Sequence, residues 1–334
     1  MRRRPLHVVG HDAVVGVCGG RLEVRRDGAV VASAPLLGVS EVVLTGYVTV
    51  TTPALHRLLR DDVPLVLLAG DGRARGRLEP PASSHAECRR RQLAISGNEP
   101  WRLAISRRIV SAKLANQARM LSLRAGRSSD PPALRRTAEA LRDAEIHAAA
   151  AGELDELRGI EGAATRRYFA ALRRVLEQLV PEFQRRDRAG GDVVNALLNY
   201  CSALLRETVV TAVLVAGLDP GVGILHASYR RRPALALDLM EEWRSVLLER
   251  TVVTLVTRRQ ITSANLVATP QGPRLDADAR RAAVARFQQR LQATHRTHAE
   301  AAKRTFRDHI DHQAVSLRDC VMERRTGYEA FRWH

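Results

Sequence analysis

EPPASSH, residues 79–85, separates two textures in this chain. Its paired prolines and serines can continue neither a strand nor a helix, and the sequence changes character across them. Before it, LHVVG, DAVVGVC, RLEVRR, AVVASAPLLGV, EVVLTG and VPLVLLAG are short Val- and Leu-rich runs. Gly, Asp and Pro punctuate them at the spacing of a small β-sandwich or curled sheet. One helix interrupts the series at TTPALHRLLRDD (51–62), with Thr51 or Thr52 as its cap and Pro53 in its first turn. Beyond EPPASSH, Ala-, Leu- and Arg-rich patterns of period 3.6 predict helices at about 86–97, 101–122, 131–150, 163–180, 192–217, 235–258, 277–297 and 299–323. GRSSDPP, PEFQRRDRAGG, GLDPGVG and ATPQGPR supply the stops between them. The expected architecture is α+β. A small N-terminal β-sandwich-like domain over residues 1–80 is followed by a linker at 81–85 and a larger all-α domain over 86–334.

The chain has 334 residues, with 53 Lys and Arg against 36 Asp and Glu, and a net charge of +17. Only Lys113 and Lys303 are lysine. Such a surface attracts polyanions through counterion release whichever cation supplies the charge, so nucleic acid is the leading partner. Aromatic residues make up 4% of the chain, so stacking on bases is a minor mode beside electrostatics. Tyr168, Phe169 and Trp243 fall among leucines and read as core, and Trp101, after Pro100, reads as a staple to it. Cys18, Cys88, Cys201 and Cys320 form no CxxC pair, which suggests neither a disulfide framework nor a thiolate zinc site and fits the reducing cytoplasm. No run approaches the roughly 20 apolar residues of a membrane span. MRRRPLHVVGHDAVV lacks the pattern of an export signal.

Several motifs imitate active sites. GDGRARG (70–76) follows an apolar run like a nucleotide loop, but RLEPPASS comes next and its prolines prevent the helix that must face a pyrophosphate, so a hairpin turn is expected. GVG (221–223) lacks a third glycine, and no GxxxxGK[ST] occurs. In RDHIDH (307–312), His309 and His312 have a spacing that can chelate a metal, yet a solvated helix face accounts for them. A larger set remains. Glu161 lies between glycines in RGIEGAATRRYF, read as a helix start, beside Arg166 and Arg167. His226 closes the loop GLDPGVGILH. Asp238 and Glu241, three apart in ALALDLMEEW, share a helix face set among leucines, where carboxylates need partners or a cation. Taken separately, these fragments read as the caps and salt bridges of an ordinary helical protein.

Their order is more specific. GIEG with YF, NALLNY with ALL, GLDP, G.LH and LALDLMEEWR, preceded by IVSAKLANQARML (109–121), resemble the CRISPR-associated integrase of spacer acquisition, the Cas1 family, over nearly the whole chain. Where that family commonly shows NYGYALL, this chain has Asn199 to Leu205 as NYCSALL, and glycines replace the prolines in RDRAGGDVVN (186–195). The resemblance implies a metal-dependent DNA endonuclease and integrase that joins the 3'-hydroxyl ends of spacer DNA to a repeat array by transesterification. It implies magnesium or manganese held by the catalytic residues Glu161, His226 and Glu241, with Asp238 as an auxiliary carboxylate. It also implies double-stranded DNA, prespacer and CRISPR repeat, as substrate. The implied partners are a second copy of the chain joined through the β domain, a bridging Cas2 and a Cas4 nuclease, with no membrane. Arg166, Arg167, Arg186, Arg188, Arg230, Arg231 and Arg232 are the candidate DNA contacts, and RLEVRR and AVVASAP the candidate edge strands for dimerisation. The competing reading is a non-catalytic basic DNA-binding scaffold whose acidic residues serve only internal salt bridges.

Overall fold

The structure, a computed structural model, describes residues 4–10, 12–70, 74–78, 85–126, 128, 130–185, 191–226, 232–270, 272–295 and 303–333. Eight strands come first: β1 (Arg4–Val9), β2 (Ala13–Cys18), β3 (Arg21–Arg26), β4 (Ala29–Pro35), β5 (Val39–Thr45), β6 (Val48–Val50), β7 (Leu65–Leu68) and β8 (Ala74–Leu78). They form two four-stranded sheets, ordered β1-β5-β7-β8 and β4-β3-β2-β6. Helix α1 (Thr52–Arg60) leads from one sheet to the other, and its cap is Thr51, whose Oγ1 accepts from Ala54 N at 3.4 Å.

The sheets face each other over Val8, Val15, Leu22, Val24, Val42 and Leu44, with Leu58 of α1 among them. Successive side chains of a strand point to opposite faces. Val9, Val43, Val66 and Leu68 therefore face away from the sandwich, and they join the core of the helical region. A sheet buried on both faces explains why EVVLTG and VPLVLLAG are almost continuously apolar instead of alternating. Of the glycine-rich GDGRARG, Ala74, Arg75 and Gly76 open β8, which pairs antiparallel with β7 as a hairpin would require, and residues 71–73 lie outside the described residues. One expectation is corrected here. RLEVRR is β3, an inner strand between β4 and β2, so only AVVASAP, β4, is an edge.

The helices are α2 (Ala86–Ile95), α3 (Glu99–Ala125), α4 (Pro131–Ala150), α5 (Leu154–Leu176), α6 (Val193–Val215), α7 (Ala234–Met240), α8 (Arg250–Thr257), α9 (Ala277–Leu291) and α10 (Phe306–Val321). Helix α5 starts at Leu154, not at 163, because Leu154 and Leu157 already pack inward. Glu161 therefore sits inside a helix and not at its start. The segment expected as one helix over 235–258 is interrupted between α7 and α8 by a 3₁₀ turn, Glu241–Trp243, and a π-helical stretch, Arg244–Glu249. Helix α6 is long and apolar enough to cross a membrane, contrary to the expectation that no such run exists, but 72% of its most apolar window is buried inside the protein. It is the central core helix. RDHIDH is only in part a solvated face: His312 is exposed, but Asp308 and Thr305 cap α10 reciprocally, and His309 is buried against Phe331 and His295. Tyr168 and Trp243 are fully buried, and Phe169 and Trp101 pack on the same core.

Candidate active site

Four segments distant in sequence meet between α3, α5 and α7. Helix α3 is capped by Asn98, whose Oδ1 accepts from Trp101 N at 2.9 Å, and it carries Lys113 into the interior. The Lys113 ammonium forms an ion pair with Glu161 Oε1 of α5. It also lies 2.6 Å from Glu241 Oε2, a second ion pair. Thr165, one turn beyond Glu161, donates its hydroxyl to Glu161 Oε1 at 3.0 Å. Arg244 Nη1 approaches Glu241 Oε1 at 3.7 Å, and Arg244 Nε approaches Glu249 Oε1 at 3.7 Å. The π-helical stretch thus places Arg244 between the two acids that bracket it, Glu241 before and Glu249 within. Such insertions often mark functional positions.

His226 reaches the same place from the loop after α6. Asp238 is fully buried in α7, and its carboxylate accepts from three successive backbone N–H groups: Ile224 at 2.6 Å, Leu225 at 3.0 Å and His226 at 3.0 Å. The same carboxylate lies 2.5 Å from His226 Nδ1. Carbonyls of the loop are held from outside by Arg102 Nε, 3.0 Å from Ile224 O, and Arg158 Nη2, 2.6 Å from Leu225 O. Gly223 is required: a Cβ there would lie 2.4 Å from the His226 carbonyl oxygen and 2.7 Å from Ala234 Cβ. The GVG fragment that resembled a nucleotide loop is therefore a packing device for His226. With Nδ1 engaged by Asp238, the imidazole can offer Nε2 to a ligand, and its side chain is 35% exposed.

Charge follows the geometry. Burial pushes the Glu241 carboxyl up, but the cations Lys113 and Arg244 outweigh it and hold the group at about 2. Burial likewise works against charge on Lys113, and Glu241 and Glu161 overcome it, raising its pKa. The Asp238 hydrogen bond raises the His226 pKa against the opposing effect of burial, and the nearby Glu241 charge adds to that rise. Glu241 and His226 are thus close enough to feel each other.

Of the residues the motifs singled out, Glu161 and Glu241 are drawn together on Lys113, His226 is joined to Asp238, and the charge of Glu241 is felt at His226. Arg166 and Arg167 are exposed on α5, and Arg232 is exposed close enough to His226 to lower its pKa. Arg186, Arg188, Arg230 and Arg231 lie outside the described residues. A Cβ at Gly159 would meet nothing within 4 Å and one at Gly162 would lie 3.8 Å from Arg166 Nη1, so bare backbone flanks Glu161 and neither glycine is demanded by close packing within the protein. Sequence reasoning missed Lys113, Arg244, Arg102 and Arg158. A signal for Lys113 existed, since it is one of two lysines in a chain that otherwise uses arginine.

A divalent cation can be tested against these donors. Among the described residues, no three His, Cys, Asp or Glu side chains are grouped to hold a metal ion as they stand. Two carboxylates already drawn around one cation and an imidazole oriented through Nδ1 are nevertheless the oxygen and nitrogen donors that suit magnesium or manganese.

Residues 6–289 match the family described as CRISPR associated protein Cas1. The chain is 36% identical over 279 residues to a CRISPR-associated endonuclease Cas1 of Moorella thermoacetica, covering 81% of each. It is 34% identical over 328 residues to one from Thermus thermophilus, covering 98% of this chain and 99% of that one. A Cas4/Cas1 exonuclease–endonuclease fusion from Rhodospirillum rubrum is 35% identical over 298 residues, 86% of this chain and 50% of the fusion. Among solved structures, a chain of a Cas6-RT-Cas1–Cas2 complex superposes with a TM-score of 0.81 at 25% identity, covering 100% of this chain and 36% of that one. A casposase bound to integration product has the same fold, with a TM-score of 0.81 at 20% identity over 100% of this chain and 95% of the casposase.

Proposed function

This chain belongs to the Cas1 family of CRISPR endonucleases and integrases, and we propose that it joins the 3'-hydroxyl ends of spacer DNA to a repeat array at the site formed by Glu161, His226 and Glu241. The observation that supports this most is the meeting of Glu161 and Glu241 on one cation beside an imidazole clamped by Asp238. In the reaction a P–O bond forms to the attacking 3'-oxygen and the P–O bond to the leaving oxygen breaks. The proton of the attacking hydroxyl ends on the leaving strand, and no ATP is consumed. Glu161, Glu241 and His226 Nε2 would hold the magnesium or manganese ion, whose contribution is to polarise the scissile phosphate and offset its developing charge. Asp238 keeps the His226 ring turned and the loop closed. The bare backbone at Gly159 and Gly162 leaves room for a strand beside Glu161, and exposed Arg166, Arg167 and Arg232 supply cations for flanking phosphates.

The assembly follows the same reading. The fold shared with a Cas1–Cas2 complex and the similarity to a Cas4/Cas1 fusion support a bridging Cas2 and a Cas4 nuclease as partners. A homodimer through the β region is supported by edge strand β4, whose Val30 and Val31 are exposed, and light scattering of the intact chain reads its mass.

The scaffold reading is favoured by one fact: Lys113 makes Glu161 and Glu241 an internal salt bridge. Strand transfer separates the two. With a prespacer, a supercoiled repeat target, Cas2 and manganese, Glu161→Ala, His226→Ala and Glu241→Ala should each abolish integration and leave duplex binding nearly intact. Near-normal integration by Glu161→Ala would sink the enzyme reading. Duplex affinity should fall with salt at a log–log slope of about 0.9 per neutralised phosphate.

A further inference from the structure

We propose that Lys113 is a resident cation that holds Glu161 and Glu241 together in the metal-free protein and gives up its place when a divalent ion binds, so that it sets the metal affinity of the site. This rests on the metal reading of that site and goes beyond it by assigning a role to a residue that is not itself a ligand.

Lys113 is 4% exposed and its ammonium faces two carboxylates from separate elements, α5 and the 3₁₀ turn after α7. Without a cation between them, the two acids would stand as like charges in a poorly solvated place, where repulsion is strong. Arg244 does not substitute for it, because at 3.7 Å it touches only the Glu241 side of the pair and is shared with Glu249. The ammonium occupies one oxygen of each acid, Glu161 Oε1 and Glu241 Oε2, and its positive charge stands between the two carboxylates that would hold a divalent ion. Ion and ammonium therefore compete. Lysine suits such a competition, because it places a compact charge on a flexible four-carbon stem that can withdraw, whereas arginine presents a planar fork bound through several donors at once. In a chain with 51 arginines, a lysine at this position is what a displaceable cation requires.

The test uses the full chain and manganese alone, read by titration calorimetry and by the melting temperature with and without the ion. Lys113→Met should melt below wild type without metal, bind manganese about tenfold more tightly or better, and show a larger metal-induced rise in melting temperature. Lys113→Arg, which retains the charge and is the variant to rely on should Lys113→Met not fold unaided, should bind manganese about tenfold more weakly. Unchanged affinity in Lys113→Arg, or unchanged or weaker affinity in Lys113→Met, would overturn the inference while leaving the metal site standing. Failure of wild type to bind manganese at all would overturn the metal reading and this inference with it.

Discussion

Glu242 adjoins Glu241 in sequence and does the opposite thing. It turns into the core, where it accepts hydrogen bonds from Tyr328 Oη and from the Phe331 N–H, each at 2.6 Å. Burial outweighs those bonds and pushes its carboxyl up to about 8. The folded protein thus keeps a proton at neutral pH that the unfolded chain releases above about 4.3. Stability from this group is complete below the unfolded value and is lost as pH rises through the folded one. Denaturant unfolding of wild type should weaken from about pH 4 to about pH 8, and Glu242→Gln, neutral throughout, should flatten that decline. Parallel curves for the two proteins would show that Glu242 is ionised in the folded state. The contrast between neighbours has a simple cause: Glu241 faces Lys113 and Arg244, whereas Glu242 faces a tyrosine hydroxyl and a backbone amide.

At the scale of elements, the support of the site is the C-terminal segment after α10. It has no regular structure, yet Tyr328, Phe331 and Trp333 are all buried. Asn116 of α3 ties it to the turn that carries Glu241, donating through Nδ2 to Glu242 O at 2.8 Å and Phe331 O at 3.0 Å while its Oδ1 accepts from Trp333 N at 2.7 Å. Phe331 stacks on Trp243 with ring centroids 4.2 Å apart, and Gln313 Oε1 accepts from Trp243 Nε1 at 2.6 Å. The turn that presents Glu241 is therefore wedged between α3, α10 and the chain's last residues. Phe331→Ala leaves a cavity behind that turn and should cost about 3–5 kcal/mol, measured by urea unfolding. A cost below about 1 kcal/mol would mean that the tail only covers the core and does not fill it.

At the scale of the molecule, the β region and the helices share more than a linker. The face of the first sheet that carries Val9, Val43, Val66 and Leu68 belongs to the helical core. A buried polar link reinforces it: Glu41 of β5 takes Arg307 Nη1 of α10 at 3.0 Å and the Thr211 hydroxyl of α6 at 2.7 Å. Burial pushes the Glu41 carboxyl up, but Arg307 and the Thr211 bond outweigh it and its pKa falls. Glu41→Ala leaves the Arg307 cation largely buried against Asp311 alone and should destabilise the whole chain by about 3–5 kcal/mol in thermal unfolding. A melt matching wild type would mean that the two regions are held together by apolar contact only.

Much of this protein was legible in its sequence, because the relevant signals are local. Short Val- and Leu-rich runs and patterns of period 3.6 told strands from helices, Thr51 and Pro53 marked α1, and the order of GIEG, G.LH and LDLMEE pointed to the family. Period and cap chemistry act over a few residues, so a linear reading recovers them. Helix boundaries in α5 and the break after α7 escaped it, since burial of Leu154 and Leu157 and the insertion at Arg244–Glu249 are settled by neighbours that are remote in the chain. The same holds for Lys113 and for the C-terminal tail. An ammonium between carboxylates on α5 and the turn after α7, or an asparagine joining α3 to the last residues, leaves no periodic trace. Such contacts exist only once packing brings the elements to hydrogen-bonding distance, and the cost of a buried charge or amide then determines which partner it must find.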